Sequence, residues 1–161
     1  MLLNDVGPLV PNAALRFIGT YVGRAPDFPD LDAAEAYLRR TYSAFGPLDD
    51  ALWRQVTAGS VFAAGGGYRL NYDPQIAAAF QDVGEEDIDL WPIWDQVEVP
   101  TMTLRGAQSG LLLPLTADEM TRRGPGSELQ EIAGCGHAPW LMTPDQIGLV
   151  VDWLDRQDHG G

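Results

Sequence analysis

Cysteine occurs once in this 161-residue sequence, at Cys135. An internal disulfide is therefore excluded, and nothing points to an oxidising compartment. Basic residues are scarce: 10 Lys and Arg stand against 23 Asp and Glu, a net charge of −13. Binding a phosphate backbone needs clustered cations, so nucleic acid is not the expected partner. The same imbalance argues against an anionic membrane surface, and it fits a solvated acidic exterior. No apolar run approaches the roughly 18 residues of a membrane span. The N-terminus has no basic region and no small-residue cleavage site, so a secretory signal is not expected and the cytoplasm is the default location. Histidine occurs twice, at His137 and His159. Two distant histidines with no cysteine or carboxylate at ligand spacing do not make a metal site. Gly-x-Gly-x-x-Gly and Walker-type runs are missing too, so no cofactor is expected.

What is present is globular: 45% apolar and 20% charged residues, in a length suited to about one domain with a real core. Met1-Leu2-Leu3-Asn4-Asp5-Val6-Gly7-Pro8 reads as the end of a buried strand stopped by a Gly-Pro turn. Helical spacing follows over Pro11 to Val22, then over Leu31 to Ala44 with Asp30 or Asp32 as N-cap and Phe45 on the same face, then over Asp49 to Ala58 with Leu52 and Val56 inward. Gly65-Gly66-Gly67 breaks the chain before an extended Tyr68 to Tyr72, and Asp73-Pro74 opens a short helix toward Phe80. The acidic run Gln81 to Asp89 reads as a loop, and Leu90 to Val97 as a short helix or turn packing Trp91 and Trp94.

From Val99 the pattern changes. Pro100 to Leu104 is strand-like and ends at Arg105-Gly106. Thr116-Ala117-Asp118-Glu119 has the spacing of a capping box, Glu128 to Ile132 is a further strand, and Thr143-Pro144-Asp145-Gln146 is a second capping box. The last helix is expected to bury Ile147, Val150, Val151 and Leu154, with a frayed tail from Arg156. Strand, helix, strand, helix over residues 97–157 is the pattern of a parallel sheet with crossover helices. The fold class is α/β: a short parallel sheet of about three strands, flanking helices, and a mostly helical insertion over residues 8–96 between a core strand at 1–7 and a core segment at 97–161.

The segment Gly134-Cys135-Gly136-His137-Ala138-Pro139-Trp140 places a histidine in a glycine-flanked loop after a strand. Catalytic groups often occupy such loops. This loop, with the strand that ends Leu104-Arg105-Gly106 and the strand that ends Asn4-Asp5, resembles the C-terminal half of an α/β-hydrolase, from its sixth strand to its last helix. The resemblance implies that residues 8–96 form a cap or lid and that His137 is the triad histidine. In that family the order along the chain is nucleophile, acid, histidine. The histidine takes the nucleophile's proton and later returns it, while a carboxylate on its other nitrogen fixes the tautomer.

Two positions depart from the family pattern. The acid usually follows the seventh strand in a run such as Gly-x-x-Ser-Asp; here the run is Gly106-Ala107-Gln108-Ser109-Gly110. Some members place the acid after the sixth strand, where Asp5 stands; the other reading of Asp5 is a structural carboxylate bonding turn amides. The nucleophile elbow requires Gly-x-Ser-x-Gly. None of Ser43, Ser60, Ser109 and Ser127 has glycine at both −2 and +2. Gly65-Gly66-Gly67 matches an oxyanion loop in composition only and reads as a flexible turn. Cys135, two residues from His137, reads as a buried small apolar residue rather than a nucleophile. Trp140 is a candidate roof for the substrate pocket or an ordinary core aromatic, while Trp91 and Trp94 read as core.

The expectation is thus an α/β-hydrolase-type chain. His137 and Asp5 are its candidate catalytic residues, Trp140 lines its pocket, and the parent family's substrate is a small ester-like molecule. Without an elbow, the chain alone is expected to show negligible hydrolysis. The alternative is a non-catalytic binding module, or one half of a split enzyme whose open sheet edge takes an N-terminal half or a second copy.

Overall fold

A computed structural model describes residues 1–81 and 84–159. In chain order its elements are β1 (Leu2–Asn4), β2 (Leu9–Val10), α1 (Asn12–Gly19), β3 (Asp27–Phe28), α2 (Leu31–Thr41), a 3-10 turn at Ser43–Phe45, α3 (Asp50–Ser60), β4 (Val61–Ala64) and β5 (Gly67–Leu70). A 3-10 segment at Pro74–Phe80 follows, then β6 (Ile88–Asp89), α4 (Trp91–Trp94), β7 (Met102–Gly106), α5 (Pro114–Met120), β8 (Glu128–Ile132) and α6 (Pro144–Asp158). The chain divides into two compact units. The first holds Met1–Pro11, Ala44–Gly46 and Glu86–Gly161; the second holds Asn12–Ser43 and Pro47–Glu85.

In the first unit, β1, β7 and β8 form a parallel sheet in that order, with Leu2 opposite Met102 and Leu3 opposite Thr103. Alternating residues of a strand face opposite sides, and both sides are used. Leu2, Met102 and Leu104 pack against Trp153, Leu149 and Val150 of α6. Leu3 and Leu129 pack on the other side against Trp94, Leu112, Ala117 and Met120. Burying a side chain such as Leu104, which is fully enclosed, contributes about 2 kcal/mol. Covered faces on both sides explain the buried run through β7. β1 is only half-buried, not the fully buried strand expected, because it lies at the sheet edge with β7 on one side. A short antiparallel pair, β2 with β6, also belongs to this unit.

The second unit is more than helices. Asp30 and Asp49 cap α2 and α3, accepting from the N–H groups of Ala33 and Leu52 at 2.8 Å. A three-stranded antiparallel sheet in the order β3-β5-β4 belongs to the same unit, with β3 against α2, β4 against α3, and a β4–β5 hairpin that turns at Gly65-Gly66. Trp53 and Thr57 are the buried residues of α3, one position along from the Leu52 and Val56 expected. The expected loop over Gln81 to Asp89 ends in β6, and its Asp82 and Val83 lie outside the described residues.

Three further expectations are corrected. Helix α5 begins at Pro114, so Thr116 lies buried inside it and is no N-cap. Proline at the first helical position presets the backbone and moves the start forward. Thr143 does precede α6, but its side chain makes no cap bond; Gln146 instead accepts from the Leu141 N–H at 2.8 Å. Helix α6 turns Trp153 inward and leaves Ile147, Val151 and Leu154 exposed. The tail expected to fray from Arg156 is helical to Asp158, and its Gly160 and Gly161 lie outside the described residues.

Candidate active site

Asp5 follows β1 directly and takes a positive φ of 57°. Aspartate is among the few residues that adopt this conformation with little cost. Its N–H donates to the Leu104 carbonyl at 2.8 Å, which continues the pairing of β1 with β7 and fixes the turn. Its side chain is completely buried. The Gly106 N–H donates to Asp5 Oδ1 at 2.8 Å, and the Ser109 hydroxyl donates to Asp5 Oδ2 at 2.5 Å. That Oδ2 also lies 2.9 Å from His137 Nδ1, which is 3.2 Å from the Asp5 carbonyl oxygen. A carboxylate has about four acceptor directions, and three are occupied by these named donors.

His137 sits in the loop after β8, and the loop is braced from several sides. The Gln108 N–H donates to the Cys135 carbonyl at 2.8 Å, and the Gly136 N–H donates to the Ala44 carbonyl at 2.6 Å. Asn4 Nδ2 donates to the Pro139 carbonyl at 2.9 Å. Gly106 allows the closest approach: a Cβ there would stand 2.1 Å from the Gly136 carbonyl oxygen. The imidazole side chain is 29% exposed, so one ring edge reaches solvent. With Nδ1 facing Asp5, Nε2 is the nitrogen left for a reacting group.

Trp140 lies in the same loop and donates its indole N–H to the Gly46 carbonyl at 3.2 Å. Phe45 stands beside both aromatic rings of the loop, 5.3 Å between centroids from Trp140 and 6.3 Å, edge-on, from His137. It belongs to the 3-10 turn, not to the face of α2 that its spacing suggests. Cys135 is buried, with Gln146 Nε2 3.9 Å from its Sγ. Burial first, and the Asp5 carboxylate second, push its thiol pKa up. That is opposite to what a nucleophilic thiolate needs. His159 bonds the Asp155 carbonyl at the end of α6. Gly110 is exposed and open on every side.

Ser109 is the residue that sequence reasoning passes over. Its lack of flanking glycines rules it out as an elbow, and no local pattern joins it to Asp5, 104 positions earlier. Arg105 supports it from beneath: the buried guanidinium donates to the Leu112 carbonyl at 2.9 Å and pairs with Glu131 at 2.5 Å. Among the described residues no group of three or more His, Cys, Asp or Glu is placed to hold a metal ion. Among the described residues no helix is long and apolar enough to cross a membrane.

No family model matches the sequence. The 3-hydroxybutyrate-oligomer hydrolase of Cupriavidus necator is 35% identical over 96% of this chain and 56% of its own length. A solved structure from Rickettsia typhi superposes with a TM-score of 0.87 at 31% identity, over 96% of this chain and 53% of that one. An alpha/beta hydrolase from Novosphingobium aromaticivorans gives 0.82 at 32%, over 96% and 56%. The chain therefore spans about half the length of the relatives it matches.

Proposed function

We propose, for a chain that belongs to the α/β-hydrolase family and corresponds to the C-terminal half of its relatives, that it supplies the base and the acid of an ester-hydrolysing triad. His137 is the general base and Asp5 its orienting carboxylate. The observation that carries this is the 2.9 Å contact from His137 Nδ1 to a fully buried Asp5. Asp5 would hold the proton on Nδ1, so that Nε2 accepts the proton of a hydroxyl nucleophile as it attacks an ester carbonyl. His137 would then return the proton to the leaving alcohol, and the cycle would repeat with water on the acyl-enzyme. The buried carboxylate stabilises the imidazolium formed at each transfer.

The 161 residues contain no Gly-x-Ser-x-Gly. The nucleophile and oxyanion donors would thus come from a second polypeptide segment, the N-terminal half in the family's order. Two features support such a partner. β1 pairs on one side only among the described residues, which leaves an edge for strand addition. Ile147, Val151 and Leu154 also form an apolar stripe along α6 that is nearly half exposed at each position.

The named activity of the Cupriavidus relative suggests the substrate class, short linear oligoesters of hydroxy acids. Phe45 and Trp140 would then form an aromatic wall near His137, and the second unit would serve as the cap. The single buried, unpaired cysteine supports a reducing compartment such as the cytoplasm.

A fluorophosphonate probe tests the reading. The isolated chain is expected to show no stoichiometric serine labelling. Co-expression with an N-terminal half from a relative is expected to give labelling and hydrolysis of 3-hydroxybutyrate oligomers, both lost in His137→Ala. Labelling of the isolated chain, or activity that survives His137→Ala, refutes it.

A further inference from the structure

We infer that Ser109 is a positioning residue for the Asp5–His137 pair, a role that rests on His137 acting as the site's base. The Ser109 hydroxyl is buried and can donate one proton. That proton goes to Asp5 Oδ2, at 2.5 Å, the same oxygen that faces His137 Nδ1. Bonds from a hydroxyl to a carboxylate at this length are charge-assisted and strong. The hydroxyl's lone pairs are also engaged, because the Leu111 and Leu112 N–H groups each approach at 3.1 Å. Two backbone amides therefore fix the rotor, and the rotor fixes the carboxylate.

Gly106 N–H holds the other carboxylate oxygen at 2.8 Å. With one donor on each oxygen the carboxylate plane is locked, and Oδ2 points at the imidazole. Arg105 sets the loop that carries Ser109 through its bond to the Leu112 carbonyl. With Gly110 at the family's usual acid position, the loop after β7 contributes a hydroxyl in place of a carboxylate. In this chain that loop steers an acid supplied by the end of β1.

The test uses the 161-residue chain, isotope-labelled, in a His159→Gln background that leaves a single imidazole. The readout is the exchange rate of the His137 Nδ1 proton with water. Ser109→Ala is expected to speed exchange about tenfold, as loss of a charge-assisted bond allows, and Ser109→Thr, which keeps the hydroxyl, to restore the slow rate. If the alanine variant does not fold, Ser109→Cys, a weak donor of similar volume, takes its place with the same expected direction. A purely structural Ser109 would alter amide protection at Leu111 and Leu112 and leave the His137 proton unchanged; that result overturns the inference. Asp5→Asn separates the two levels. If it abolishes the His137 signal while Ser109→Ala does not, Ser109 has no part in positioning. If neither substitution changes it, the Asp5–His137 pair itself is not the hydrogen bond described.

Discussion

Asp5 Oδ2 and His137 Nδ1 stand 2.9 Å apart across 132 residues of chain. Neither residue alone specifies chemistry. An aspartate after a strand is common, and a histidine in a glycine loop can be satisfied by backbone. The pairing of β1 with β7, and of β7 with β8, sets the ends of three adjacent strands side by side. A carboxylate from the first, a hydroxyl from the loop after the second and an imidazole from the loop after the third then converge.

Asp5→Asn is expected to keep the fold and remove the function. Asparagine tolerates the positive φ of 57°, and its carbonyl can still accept from Gly106. Its NH2 then takes the place of Oδ2 and faces both Ser109 and His137. Nδ1 has to accept from it, the ring proton moves to Nε2, and the wrong tautomer is presented. In the reassembled enzyme the activity should fall on the order of 10⁴-fold, as in the serine-protease case. Nitrogen shifts of the His137 ring should report the tautomer change. A variant with full activity would show that Asp5 is only a turn residue.

Gly106→Ala is expected to destabilise the chain by about 3 kcal/mol, toward the upper end for overpacking. The new Cβ would lie 2.1 Å from the Gly136 carbonyl oxygen and 2.7 Å from that of Cys135. Both obstacles are backbone, so no side-chain rotation relieves them, and the His137 loop must shift. Urea midpoints compare the variants, with Gly110→Ala, where a Cβ meets nothing, as the control that should change little.

The positions of these strands were legible in the sequence because their signals are local. Leu104-Arg105-Gly106 and Glu128 to Ile132 carry strand patterns with clear stops, and the parallel sheet follows from their alternation with helices. What was not legible depended on competition between nearby residues or on distant ones. Helix α6 offers two overlapping apolar stripes, Ile147-Val150-Val151-Leu154 and Leu149-Val150-Trp153. The second faces the sheet, and Trp153 places the largest apolar surface there. Pro114 outweighed Thr116 at the start of α5 because a fixed φ defines a first turn. Phe45 and Ser109 take their places from tertiary contacts, so spacing gave no sign of either.

Cys135 is expected to be inert in the folded chain. Burial, and then the Asp5 charge, raise its pKa above the ordinary thiol value of 9.0. The folded state therefore holds the proton more tightly than the unfolded state. This stability contribution is full below the unfolded thiol pKa and is lost as pH rises through the raised folded pKa. Iodoacetamide should alkylate the native chain far more slowly than the urea-unfolded chain at pH 8. Equal rates in the two states would contradict the burial.

Arg105→Met is expected to cost stability through the loop rather than through lost packing. The guanidinium is almost fully buried, with its Glu131 partner about half exposed. Methionine keeps much of the stem's volume, but it leaves the Leu112 carbonyl without its donor and frees residues 107–113. An unsatisfied buried acceptor costs about 1–3 kcal/mol. Glu131→Gln keeps an acceptor at the solvent-facing end, so its cost should stay near or below about 1 kcal/mol. Denaturant midpoints order the two. The sharper discriminant is His137: Arg105→Met should loosen Ser109 and speed exchange of the imidazole Nδ1 proton, whereas Glu131→Gln should leave it unchanged. An Arg105→Met chain that loses stability but keeps slow exchange would show that the loop's anchor and the carboxylate's positioning are separate.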